Sequence, residues 1–282
     1  GIYLFGVISG DKEISMDNNQ FILNKINYNT QQGIYVWMDA SGNSTISCSN
    51  NVFIQNIITH NDDSGIEFLG DRWNNSVAVF GNSLVYNNTF EFNLENGFGF
   101  QGEWSNMNIT FNQFRFNDVG INFNGGKQGV IRDNLIMNCT SIGIITYNSS
   151  NNIVQDNQIY GCLFGINNYL CVNNTIDHNL VQEGQYGIVS VYSINSIVIN
   201  NNVSGFGLYG IAMNYANYSH IYNNRMINNA INAFDNQTTN NLWYNGSLSL
   251  GNYYSDYTGS DLNDDGIGDT PYLINGSTGA QD

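Results

Sequence analysis

Basic side chains are scarce in this sequence. Lysine and arginine number 7 among 282 residues, against 23 acids, giving a formal net charge of −16. That balance provides no basic patch for a nucleic-acid backbone and no polybasic signal for an anionic membrane. Charge of either sign is thin, at 11% of residues. No apolar run reaches the roughly 18 residues of a membrane-crossing helix, and no secretory leader is visible. Helix-period patterning is missing, and proline is reduced to Pro271. The abundance of β-branched and aromatic residues excludes disorder. Gly1-Ile2-Tyr3-Leu4-Phe5 already reads as strand, so a mature or excised fragment is expected.

What is present is a repeat. Glycine followed by an apolar residue recurs at Gly1, Gly33, Gly65, Gly97, Gly120, Gly143, Gly165, Gly187 and Gly210, with Ala230-Ile231 as a degenerate last copy. The spacing is 32 for three steps, then 22 or 23, then 20. An asparagine series runs in phase: Asn24, Asn56, Asn88, Asn112, Asn134, Asn157, Asn179, Asn202 and Asn224. The residue three before each is apolar, from Phe21 to Ile221. The residue two after is bulky and apolar everywhere except Ser204.

A period near 22 is too short for a helical hairpin, and runs such as Ile121-Asn122-Phe123 alternate as strands do. A coil of this kind buries its apolar face only against its neighbours. Stacked coils place equivalent residues about 4.8 Å apart. Asparagine amides can then hydrogen-bond along a column, which satisfies a buried amide. The expected fold is an all-β, right-handed parallel β-helix over residues 1–240, on the order of 45 Å long. Its coils are wide over 1–96 and narrow over 97–240, and residues 241–282 form a C-terminal cap. The wide coils carry an insertion in which Glu13-Ile14-Ser15, Thr45-Ile46-Ser47 and Val77-Ala78-Val79 repeat at 32, which predicts one more short strand per coil.

Cys139 and Cys162 each stand five residues after a ladder asparagine, on adjacent coils. Their spacing admits a disulfide; the alternative is a stacked pair of reduced thiols. Cys48 and Cys171 have no evident partner, and no spacing suggests zinc. Among many Asn-x-Ser/Thr sequons, Asn43, Asn74, Asn245 and Asn275 fall in loops and are the glycosylation candidates. Asn202, as a ladder residue, is expected to be buried and unmodified.

Residues 261–269 read Asp-Leu-Asn-Asp-Asp-Gly-Ile-Gly-Asp. Side-chain oxygens at Asp261, Asn263, Asp265 and Asp269, with the Ile267 carbonyl and a turn at Gly266, match the spacing of an EF-hand-type loop. Tyr272 stands where the twelfth-position Glu belongs, so a further oxygen is needed, and Asp256 is a candidate. A structural Ca2+ folding this loop over the end of the helix is expected.

The repeats resemble those of the carbohydrate-binding and sugar-hydrolase group of parallel β-helices. The tail Gly251-Asn252-Tyr253-Tyr254-Ser255-Asp256-Tyr257, then Asp261 to Asp269, then Thr270-Pro271-Tyr272, resembles the C-terminal segment of NosD-like proteins. The first likeness covers nearly the whole chain and is generic; the second covers about thirty residues and is sharper. Such proteins are common on the surfaces of methanogenic archaea, which implies a secreted, archaeal-type envelope protein. The NosD resemblance also implies copper handling, yet His60, His178 and His220 are scattered and the six methionines do not cluster with them.

Three functions follow. A polysaccharide lyase or glycoside hydrolase needs paired carboxylates, and Asp62-Asp63 is the one adjacent pair in the regular coils. A carbohydrate-binding surface would use Trp73 and Trp104, with Asp71 and Glu103, and Glu67 and Arg72 close in sequence, where the wide coils end. The alternative for these rings is to pack the inserted strand. A structural subunit would assemble with itself, end to end through the open solenoid ends or laterally, or with other surface proteins, into a filament, sheath or lattice. The sequence favours this third reading: a non-catalytic extracellular or cell-surface protein.

Overall fold

The computed structural model describes residues 1–72, 77–262 and 268–282, together with their side chains except those of 71, 72, 77 and 78. It is a right-handed parallel β-helix, and the described residues contain no helix. Three columns of parallel strands run its length. The first follows the repeating glycines and includes Ile2–Ser9, Ile34–Ser41, Ile66–Arg72, Asn96–Gln101 and Val119–Asn124. The second runs from Gln20–Ile22 to His220–Tyr222. The third runs from Lys25–Asn27 to Tyr253–Tyr254. In the late coils the third and first columns fuse into the long strands Leu180–Val191 and Asn202–Asn214.

The alternation of the sequence decides which side chains point inward. Ile34, Val36, Met38 and Ala40 are buried, while Tyr35, Trp37, Asp39 and Ser41 are half-buried on the outside. The core is a stack of like residues: Phe21 on Phe53 at 4.7 Å and Phe90 on Phe114 at 4.8 Å between ring centroids. Each such burial contributes about 1.5–3 kcal/mol. The repeating glycines have a steric cause. A Cβ on Gly33 would lie 2.6 Å from the carbonyl oxygen of Gly65, and on Gly143 2.7 Å from that of Gly165.

At the tight corners a residue in the left-handed region precedes an inward side chain. Gln55 (φ 54°), Asn87 (53°) and Phe111 (58°) stand before Asn56, Asn88 and Asn112. These turns create the asparagine ladder. Asn56 Nδ2 donates to Asn88 Oδ1 at 2.8 Å, and the pattern continues to Asn224, which donates to Asn252 at 3.0 Å. Asn252 in turn donates to the Asp282 carboxylate at 3.0 Å. Two more columns flank it. Asn29, Asn61, Asn93 and Asn117 form one; Asn19 and Asn51, then Asn152 and Asn174, occupy the other.

Two positions differ from the sequence reading. The ladder residue is Asn201, not Asn202: Asn179 donates to Asn201 Oδ1 at 3.0 Å and Asn201 to Asn224 at 2.9 Å. Asn202 instead begins a strand and is half-buried. With Asn201 in place the flanking apolar positions become Val198 and Val203, both fully buried, and the Ser204 exception disappears. Likewise Gly210 lies opposite Asn232, not Ala230, which restores a spacing of 22.

The insertions form a fourth, short sheet from Glu13–Ser15, Thr45–Ser49 and Val77–Gly81, with a fourth rung at Trp104–Ser105. At the C-terminal end Trp243, Tyr254 and Ile274 cover the core. The Trp243 indole N–H donates to buried Asp235 at 2.6 Å, and Tyr254 stacks on Tyr272 at 3.7 Å.

Candidate functional site

The outer face of the first column gathers aromatic rings on the first two wide coils. In-register pairing sets Tyr3 beside Tyr35 and Phe5 beside Trp37. Centroids are 6.1 Å apart for Tyr3 and Tyr35, 5.8 Å for Phe5 and Trp37, and 6.0 Å for Tyr3 and Phe5. Phe5 is 54% exposed and Tyr3 37%. The next coil continues this face with Glu67 and Leu69.

Polar groups border the rings at the neighbouring corner. The Tyr3 hydroxyl donates to Gln31 Oε1 at 2.9 Å. Gln32 Nε2 donates to Asp63 Oδ2 at 2.8 Å and to Glu67 Oε2 at 3.0 Å, so one amide ties two carboxylates together. Burial and the nearby charges of Asp63 and Glu95 push the Glu67 carboxyl up from its ordinary range. Glu95 is pushed up by burial and by a hydrogen bond and repulsion from Asp63, with Asp118 adding to it. Among the described residues no cation pairs with Asp63, Glu67 or Glu95; the ion pairs present join Arg115 to Glu91, Lys127 to Glu103, Arg132 to Asp133 and His178 to Asp177. The face is an acidic border beside an aromatic floor.

The residues the sequence singled out for sugar binding do not form this site. Trp104 is fully buried, stacks on Phe80 at 4.6 Å and meets Phe68 edge-on at 4.9 Å, so it packs the inserted sheet against the helix. Glu103 is exposed, 3.9 Å from Lys127 Nζ. Trp73 and the Asp71 side chain lie outside the described residues, as does Asn74. Asn43 and Asn275 are exposed and Asn245 is half-buried. Cys139 and Cys162 stack as buried free thiols, with no bond between them, and continue the column begun by Asn29.

At the C-terminal end a cavity of about 980 Å³ separates the last coil from the cap, with Asp261 and Asp269 on its wall. Asp269 Oδ2 accepts the Leu262 N–H at 2.6 Å, and the Asp269 N–H donates to Ser260 at 2.7 Å. Asn263, Asp265 and Ile267 lie outside the described residues. Asp256 is engaged by Asn232 at 2.6 Å and by the Tyr272 hydroxyl at 3.1 Å.

Copper does not fit the described donors. The His60 ring lies between Tyr28 and Phe92, 4.9 Å from each. His178 pairs with Asp177 at 2.6 Å, and all four cysteines are buried. Among the described residues no three His, Cys, Asp or Glu side chains converge as a metal would need.

Solved structures resemble this coil architecture. A double mutant of the periplasmic alginate epimerase AlgG superposes with a TM-score of 0.51 at 12% identity, over 86% of this chain and 67% of that one. The Dettilon tailspike protein gives 0.54 at 14%, over 86% of this chain and 61% of that one. Full-length tailspike protein 2 from an Escherichia coli O157:H7 bacteriophage gives 0.50 at 12%, over 77% of this chain and 38% of that one. Identities this low speak for the fold alone. No protein of curated function matches the sequence. The family model of NosD, described as a periplasmic copper-binding protein, matches residues 84–259. That span covers more than half of the chain, including the narrow coils, the asparagine ladder from Asn88 onward and the start of the cap, and on it the chain belongs to the NosD family.

Proposed function

We propose that this protein is a non-catalytic glycan-binding module acting outside the cytoplasm, with its site on the outer face of the first two wide coils. One observation carries the reading: Tyr3, Phe5, Tyr35 and Trp37 form a contiguous aromatic floor on the outer face, exposed at Tyr3 and Phe5 and half-buried at Tyr35 and Trp37, bordered by Gln31, Gln32 and Glu67. Flat rings shed water against the C–H faces of sugars, while amides and carboxylates take hydroxyl hydrogen bonds. Hydrolysis would need an acid and a base on opposite sides of a bound sugar. Asp63 and Glu67 are instead held together by Gln32. Self-assembly through the solenoid ends is the second reading; the cluster of Tyr3, Phe5, Tyr35 and Trp37 lies on a lateral face and not on an end, which favours glycan binding.

Affinity electrophoresis through gels containing soluble polysaccharides tests the site. At least one glycan should retard the protein, and the Tyr3→Ala, Phe5→Ala double variant, on exposed rings, should run free of it. Equal retardation of parent and variant sinks the proposal.

We also propose Ca2+ as a structural ion of the loop from Asp261 to Asp269, supported by the position of both carboxylates beside the cap cavity. A bound ion at a hundredfold excess over Kd stabilises by about 2.7 kcal/mol. Chelator should therefore lower the melting temperature of the parent but not of Asp261→Ala; an unchanged parent refutes it.

A further inference from the structure

We infer that the glycan taken by the aromatic floor is an amino-sugar polymer carrying free ammonium groups, and neither a polyuronate nor a neutral chain. This rests on the glycan-binding reading of that face and specifies its ligand. Charge complementarity is the argument. The floor itself is neutral, but its border carries Asp63 and Glu67 on one coil and Glu95 on the next, and Asp39 stands two residues beyond Trp37. No described cation pairs with Asp63, Glu67 or Glu95.

These carboxylates already repel one another: Asp63 hydrogen-bonds Glu95, and each raises the proton affinity of Glu67. A polyanion laid on the floor would add a negative charge at every sugar beside them. An ammonium group would relieve the repulsion, because an opposite charge within a few ångströms favours the ionised carboxylate. The formal net charge of −16 adds long-range repulsion of a polyanion and attraction of a polycation. Aromatic rings and carboxylates together therefore select a sugar with an apolar face and a cationic substituent. Ring stacking supplies the first contact and the acidic border the discrimination.

The test uses three oligosaccharide probes of equal length in isothermal titration calorimetry at neutral-to-mildly acidic pH. They are a chito-oligomer with free amines, the same oligomer fully N-acetylated, and an alginate oligomer. The free-amine probe should bind about tenfold or more tightly than its acetylated twin, as two or three partly exposed charge pairs imply. That margin should shrink in high salt and in Glu67→Gln and Glu95→Gln, and the alginate probe should not bind. A free-amine margin absent, or an alginate preference, overturns the amino-sugar assignment while leaving a ring-dependent glycan site intact. Free-amine binding that survives Tyr3→Ala, Phe5→Ala unchanged is bulk attraction of a polycation to an acidic protein, and overturns both. Thermal melts of each variant ensure that lost binding is not lost folding.

Discussion

Truncating one rung in the middle of the asparagine ladder should destabilise this protein far more than truncating the first. Asn157 is fully buried. Its Oδ1 accepts the Asn134 backbone N–H at 3.1 Å and the Asn134 Nδ2 at 3.0 Å. Its own Nδ2 donates to the Ile131 carbonyl at 2.9 Å and to Asn179 Oδ1 at 3.0 Å. Asn157→Ala leaves two donors of Asn134 without that acceptor and removes one bond from each of two acceptors. An orphaned buried donor costs about 1–3 kcal/mol, so the loss should be about 2–6 kcal/mol. Asn24→Ala is the control. Asn24 donates its amide to Asn56 Oδ1 at 2.9 Å, while its backbone N–H, which the substitution keeps, also reaches that oxygen at 2.9 Å. The expected loss there is about 1 kcal/mol. Urea denaturation followed by circular dichroism reads both, provided the m-values agree with the parent. If Asn157→Ala costs no more than Asn24→Ala, the ladder is decoration on a core held by its apolar stacks alone.

Two further predictions concern titratable groups. Because burial and Asp63 raise the Glu95 carboxyl above its ordinary 4.5, the folded state holds that proton to higher pH than the unfolded chain does. Its contribution to stability is therefore largest in acid and is lost as pH rises through the raised value. Glu95→Gln should melt higher than the parent at pH 7 and show a smaller difference at pH 4; a variant that melts lower at pH 7 contradicts the repulsion. The Cys139 thiol is pushed well up by its hydrogen bond with Cys162 and by burial. The same hydrogen bond lowers the Cys162 thiol, but all four cysteines are buried, so Cys139 and Cys162 should resist alkylation in the native state, Cys139 the more strongly, and all four should take the label once the unreduced chain is denatured. Two labels in place of four would reveal a bond between Cys139 and Cys162.

Much of the fold is written in the period. A steric demand at each coil's glycine, an amide column and two apolar columns recur at the same interval, because stacking forces equivalent residues to meet. The misplacements occurred where composition blurs that interval. Asn200, Asn201 and Asn202 are consecutive, and only the hydrogen-bond register shows which of them turns inward. At the last coil Asn232 takes the place of a glycine, with its amide turned to Asp256. The candidate site was less legible. The sequence leaves Trp104 either on a sugar-binding surface or packed against the inserted strand; the residue that decides for packing, Phe80, arrives from the preceding coil's insertion. The outer-face rings do carry a sequence signal: Tyr3 and Tyr35, and Phe5 and Trp37, stand 32 residues apart, the same interval as Gly1 and Gly33.

The ladder also has a direction. From Asn24 to Asn252 the hydrogen-bonded amides present their N–H toward the C-terminal end and their oxygen toward the N-terminal end. Ten aligned side-chain dipoles polarise one another and sum along the axis much as peptide dipoles do in a helix. The positive pole falls at Asn252, and there the Asp282 carboxylate accepts both its backbone and side-chain N–H, at 2.6 and 3.0 Å. The rod is thus electrically polar as well as structurally repetitive, and an anion sits at the pole where its field is most favourable.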